Sequence, residues 1–238
     1  MSQAPRTKGE RTRARILDSA TELFSRSGYN SVSLREIAAH AGLTHAGVLH
    51  HFPGKEQLLL EVLSRRDRAD AAWLFPGLLD GGTADSATPE PSASERLRRL
   101  VGVVGRNSRT PGLVALYAKL SVEASEPGHP AHSYFVRRYR LLRAEIGALL
   151  GELFSAAATP ATTSPDSVAQ QLLALMDGLQ TQWLLEPAEV SMEDRVREFL
   201  ARYGLDAGAV DDMDRDPDAD AERDPDAERG QGREPVSG

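Results

Sequence analysis

Four of the six histidines, His40, His45, His50 and His51, fall within one stretch of twelve residues, and two kinds of chemistry could use them. A metal centre needs two imidazoles on one helix face, as at i and i+4, with a further ligand close by. His45 and His50 are five residues apart and the adjacent His50 and His51 diverge, so the spacing argues against metal. The second chemistry is hydrogen bonding to a surface outside the chain. On a helix anchored inward by Val48 and Phe52, the residues Thr44, His45, Ala46, Gly47 and His50 are left facing out. Solvated helix faces usually carry Lys and Glu, whereas the small Ala46 and Gly47 let a partner come close to the backbone. A packed helical corner without any ligand is the plain alternative.

Two short helices and a tight turn must position these groups. Ser33 is a good N-cap, and Glu36 three residues on completes a capping box, with Val32 and Ile37 as the flanking hydrophobic staple. That helix ends near Ala41, where Gly42 supplies the permissive backbone of a turn. Thr44 caps the second helix, with Leu43 and Val48 as a second staple. Paired capped helices with a glycine between them are the pattern of a helix-turn-helix, whose second helix enters the DNA major groove through its N-terminal residues.

The run Gly42-Leu43-Thr44-His45-Ala46-Gly47-Val48-Leu49-His50-His51-Phe52-Pro53-Gly54-Lys55-Glu56-Gln57-Leu58 resembles the signature of TetR-type transcriptional regulators. Upstream, Ile16-Leu17-Asp18-Ser19-Ala20, Leu23-Phe24 and Gly28-Tyr29 resemble the family's first helix at the expected distance. The resemblance is specific over residues 8 to about 68 and rests beyond that on helix order. One departure is Leu49, which stands where the family usually has a tyrosine that bonds phosphate. Leu49-His50-His51-Phe52 resembles an actinobacterial-type subgroup. The resemblance implies that Ser33 and Thr44 bond phosphate besides capping their helices. It implies that Arg35, His45, Ala46 and Gly47 face bases or the adjacent backbone, and that His50 and Lys55 hold the strand.

Charge is distributed to match. The chain has 238 residues and a net charge of −7. Residues 1–68 nonetheless carry 11 Lys/Arg against 7 Asp/Glu, a net +4, while residues 205–238 carry 4 against 12, a net −8. A basic end that holds the helix-turn-helix points to nucleic acid there. Arg6, Lys8, Arg11, Arg13 and Arg15 crowd the start of the first helix, with only Glu10 opposing them, an arrangement suited to phosphate contact. With no cysteine, disulfides and thiolate metal sites are excluded. No stretch approaches a membrane span and the N-terminus has no apolar signal core, so a cytoplasmic protein with no membrane partner is expected.

Apolar residues recur with helical period throughout, and no segment alternates with period two. The expectation is an all-α fold of nine helices. Three form an N-terminal helix-turn-helix domain at residues 8–54, and six form an effector-binding and dimerisation domain at 55–204. A basic arm at 1–7 and an acidic tail at 205–238, with its repeated Asp-Pro-Asp, are expected to be disordered. The fourth helix runs from Lys55 to about Trp73, before Phe75-Pro76-Gly77 and a loop at 76–91. Ser92 with Glu95 reads as a capping box, Thr110-Pro111 as N-cap and N1, and Ser191 with Asp194 as the cap of the last helix.

The second domain sets Asn107, Tyr117, His132, Phe135, Tyr139, Asp177, Gln180 and Trp183 on otherwise apolar helices, the composition of a small-molecule pocket. Core packing or a dimer seam explains any one of them equally well. Trp183, Leu184, Phe199 and Leu200 are the leading seam candidates, since resembling proteins dimerise through their last two helices. The chain contains no phosphate loop, no Gly-x-Ser-x-Gly elbow and no His-Glu-x-x-His, so neither an enzyme nor a cofactor is expected. The reading is a homodimeric repressor released from a palindromic operator by a small-molecule effector. An effector-independent regulator or activator is its main rival, and a helical enzyme or interaction protein a more distant one.

Overall fold

Residues 7–74, 91–157 and 163–208 are described in the computed structural model. The arm before Thr7, most of the 76–91 loop, the middle of the 156–164 loop and the tail beyond Gly208 lie outside the described residues. Among the described residues there are nine helices and no strand. They are α1 (Lys8–Ser27), α2 (Leu34–His40), α3 (His45–His51), α4 (Lys55–Leu74), α5 (Ala93–Asn107), α6 (Pro111–Glu123), α7 (His132–Ala156), α8 (Pro165–Leu185) and α9 (Met192–Ala201). None of them is long and apolar enough to cross a membrane.

Local hydrogen bonds set most of the boundaries. The Ser33 backbone N–H donates to the Glu36 carboxylate at 2.6 Å, and the Glu36 N–H returns a bond to Ser33 Oγ at 3.2 Å. Gly42 closes the turn at φ +62°, a conformation that a β-carbon disfavours. A second complete capping box, at Thr7 and Glu10, opens α1. Thr7 Oγ1 accepts from the Glu10 N–H and the Glu10 carboxylate accepts from the Thr7 N–H. Thr7 therefore belongs to the start of α1 and not to the arm. Two expected caps are weaker than supposed. Ser92 accepts from the Glu95 N–H, but the Glu95 carboxylate pairs with Arg99 one turn on, so that box is half made. Thr110 makes no side-chain cap bond, because its hydroxyl donates back to the Asn107 carbonyl.

Two cores result. One joins α5, α8, α9 and the later part of α7. The other holds Ile16, Phe24, Ile37, Val48, Phe52, Leu58 and Leu63 of α1–α4, and continues into Leu116, Leu120, Tyr134 and Phe135 of α6 and α7. The helix-turn-helix core is thus continuous with the helices that follow. At the α1–α6 contact Gly112 has no room for a side chain, since a β-carbon there would stand 2.8 Å from the Ser25 carbonyl oxygen.

The expected tail boundary at 205 moves. Gly204, at φ +72°, turns the chain back after α9. Leu205 and Ala207 are buried at 5% and 4% exposure, and the Arg197 guanidinium donates to the Ala207 and Gly208 carbonyls. Four residues read as tail are therefore part of the packed structure.

Candidate functional site

Two sites emerge, one on α2–α3 and one between α4 and α8. On α3, the Gly47 N–H donates to Thr44 Oγ1 at 3.1 Å, while Val48 and Phe52 are sealed at 0% and 1% exposure. This leaves Thr44, His45, Ala46, Leu49 and His50 exposed on one short surface, with Ser33 and Arg35 exposed at the start of α2. Gly47 is half-buried, and a β-carbon there would lie 3.3 Å from Thr44 Oγ1. Its smallness therefore also serves the cap. Each capping hydroxyl accepts from an amide, which leaves its own proton free to donate outward.

Two basic residues do internal work that the sequence concealed. The Arg13 guanidinium lies 4.3 Å above the Phe52 ring and pairs with Glu61 at 3.0 Å, tying α1 to α4 and to the end of α3. Lys55 Nζ lies 4.3 Å above the Tyr29 ring and donates to the Asn30 carbonyl at 3.4 Å. Partial burial lowers the Lys55 pKa, and the Glu36 charge offsets part of that. Lys55 thus braces the turn before α2 as well as flanking it. Lys8, Arg11 and Arg15 stay exposed along α1.

The second site is a small cleft, partly open to solvent, between α4, α5, α6, α7 and α8. Of the eight sequence candidates, Asn107, Tyr117, Phe135, Tyr139, Asp177 and Gln180 line it. His132 does not, because its Nδ1 bonds the Ala124 carbonyl at 2.8 Å and fixes the turn before α7. Trp183 does not either, being 8% exposed within the protomer core, and Leu200 at 0% leaves the list of seam residues for the same reason. Arg66, Asp67 and Asp70 of α4, and Arg138 of α7, also line the cleft. The sequence candidates did not include the charged run Arg65–Asp70 of α4. Its i, i+3/i+4 spacing was the available signal that 66, 67 and 70 share a face.

Those charges are matched with one exception. Asp67 accepts from Arg138 Nε at 3.0 Å and from the Tyr134 hydroxyl. Tyr117 donates to the Leu63 carbonyl at 2.7 Å and stacks edge-on with Phe135. Burial pushes the Tyr117 and Tyr134 pKa values up, and the Asp67 charge adds to it. Asp70 pairs with Arg66 at 3.0 Å and Arg106 at 2.6 Å, and Arg66 also reaches Asn107. Asp177 receives only the Tyr139 hydroxyl, at 2.7 Å, and has no cation within ion-pair distance among the described residues. Burial raises its pKa against the pull of that hydrogen bond and of Arg138. Burial, then the bond to Asp177, pushes Tyr139 up to about 12. The cleft therefore presents one carboxylate without an ion-pair contact among the described residues, beside three aromatic rings.

Comparison with known proteins finds matches in two stretches of the chain. The model of bacterial regulatory proteins, tetR family, matches residues 16–62, and that of the BetI-type transcriptional repressor, C-terminal, matches residues 130–206. The chain is 24% identical over 210 residues to the HTH-type transcriptional regulator AcrR of Shigella flexneri, covering 84% of this chain and 91% of that one. It is 39% identical to SrpR of Pseudomonas putida over 66 residues only, 28% of this chain and 31% of SrpR. A TetR-family regulator from Agrobacterium tumefaciens superposes with a TM-score of 0.63 at 22% identity, over 82% of this chain and 99% of that one. A transcriptional regulator from Saccharomonospora viridis, solved in complex with choline, gives 0.62 at 27% identity, over 80% and 96%.

Proposed function

Because the chain belongs to the TetR family of bacterial transcriptional regulators, we propose that it is a homodimeric repressor that grips a palindromic operator with α3 of each protomer. A small molecule entering the cleft releases it. The observation that carries this reading is the exposed face of Thr44, His45, Ala46, Leu49 and His50, set on a domain of net positive charge. Ser33 and Thr44 donate their hydroxyl protons to phosphate, Arg35 and His45 reach base edges or the adjacent backbone, and His50 and Lys55 hold the strand. Ala46 and Gly47 let the helix sit deep. Leu49-His50-His51-Phe52 supports the actinobacterial-type subgroup.

The dimer forms through α8 and α9. The outward positions of α8, Gln171, Ala174, Gly178, Thr181 and Leu185, are exposed and uncharged at spacings of three and four, and Leu185 is 77% exposed. Such a stripe suits a second helix. Leu184 and Phe199, half-buried, extend it, while Trp183 and Leu200 back it from inside.

DNA selected from a random-sequence pool tests the reading. The recovered site is expected to be an inverted repeat with half-sites ~34–36 Å apart, or a multiple of that. His45→Ala should cost ~1–3 kcal/mol and relax preference at one symmetric pair of positions. Recovery of no DNA, or an unchanged preference in that variant, would reject it.

For the effector, the unmatched Asp177 and the choline-bound relative support a small monocation of the ammonium type. Asp177→Asn should lower choline affinity by roughly 10-fold or more, because the amide keeps the shape but loses the charge that attracts the quaternary ammonium, and leave operator binding intact. Because the cation needs the carboxylate ionised, wild-type affinity should fall with pH from above the ordinary aspartate range, as the raised Asp177 pKa requires. Titration calorimetry against pH reads both effects. Equal choline binding by Asp177→Asn and wild type would exclude this effector class.

A further inference from the structure

Among the described residues of α1–α4, every large aliphatic or Phe side chain is buried or half-buried except one. Leu49 is 40% exposed, while its neighbours Val48 and Phe52 are sealed beneath it. It stands one helical turn after His45 and three residues after Ala46, which places it on the same outward surface of α3. Ala46 is too small to hold a partner away from it. A leucine offers neither donor nor acceptor, so a phosphate or a polar base edge gains nothing from touching it. In the major groove the one apolar group on a base edge is the C5-methyl of thymine.

We propose that Leu49 is a specificity-determining residue, which packs on the C5-methyl of one thymine in each operator half-site. The inference rests on the proposed reading of DNA by α3 and adds what that helix selects. His45 and His50 flank the contact and bond to polar edges or phosphates on either side. Leu49 excludes water from the methyl between them. The base read this way is thymine, because cytosine at the same place presents an N4 donor that leucine cannot satisfy.

The test uses the full-length protein and the operator duplex recovered by selection, with each thymine replaced in turn by deoxyuridine. That replacement removes the methyl and keeps every hydrogen-bonding group. For the wild-type protein, replacement at one symmetric pair of positions is expected to weaken binding about 10- to 20-fold. That corresponds to roughly fourfold for each buried methyl in two half-sites. Leu49→Ala is expected to melt as the wild type does, because the side chain is exposed, and to bind the methylated and unmethylated duplexes equally. Wild-type binding that is insensitive to every replacement would overturn the role of Leu49 and leave the proposed function standing. So would a Leu49→Ala variant that keeps the full methyl effect. A chain that recovers no DNA at all would remove both.

Discussion

Gly47→Glu will lose specific operator binding by at least about 100-fold while remaining folded. The loss has two sources. Gly47 lies in the first turn of α3, where a carboxylate would meet phosphates at close range, and like-charge juxtaposition in an interface costs several kcal/mol. In addition, a β-carbon at Gly47 would stand 3.3 Å from Thr44 Oγ1, the atom that caps the helix, and would press on the very group that aims α3. Gel retardation with the selected operator measures the first effect, and circular dichroism confirms that the helices persist. A footprint like that of the wild type would mean that α3 is not the element that reads DNA. Gly47→Ala separates the two sources. It adds the steric contact without the charge, so its loss should be much smaller, since Thr44 needs to give by only a few tenths of an ångström.

The second large effect is on stability. Asp67→Ala should destabilise the protein by about 2–3 kcal/mol, measured by urea unfolding. Asp67 accepts from Arg138 and Tyr134, with the Tyr117 hydroxyl 3.5 Å away, and it links α4 to α7. Without it, the Arg138 guanidinium stays in the cleft with no ion-pair partner, since Asp177 acts on it only from beyond contact distance. Burial favours the neutral form of Arg138, but Asp67 with the neighbouring tyrosines holds its pKa above the ordinary arginine value. Removing one partner of a fully buried pair costs ~3–5 kcal/mol. The lower value is expected here because these side chains keep 25% and 29% of their surface accessible. The double variant Asp67→Ala/Arg138→Leu should recover most of the loss, because no charge is then stranded. If the double variant is as unstable as the sum of the single ones, the network contributes through packing rather than charge.

This network also bears on induction. Tyr117 and Phe135 line the cleft and belong at the same time to the core that α6 and α7 share with the helix-turn-helix. A ligand that moves them acts on side chains already packed against α4. Coupling between such sites is typically ~1–3 kcal/mol and is reciprocal, so operator DNA should weaken effector binding by the same factor.

The sequence by itself determined the features that close within one turn of chain. The Ser33–Glu36 box, the Thr44 and Ser191 caps, the positive-φ turns at Gly28, Gly42 and Gly204, and the inward Ile37, Val48 and Phe52 are all settled over three or four residues. Residue type and spacing carry that information directly. Caps competing with other bonds, as at Thr110 and Glu95, were the local exceptions. What only the tertiary structure decided is which of several equivalent faces meets which. Composition set Trp183 and Gln180 alike among the pocket candidates of α8, yet one fills the core and the other lines the cleft. The basic cluster at the start of α1 looked uniform, yet Arg13 alone is taken up by Phe52 and Glu61. Asp67 finds Arg138 across 71 residues of chain. Such pairings depend on how whole helices pack, because the free energy gained by burying a face is shared over many side chains and names no single partner in advance.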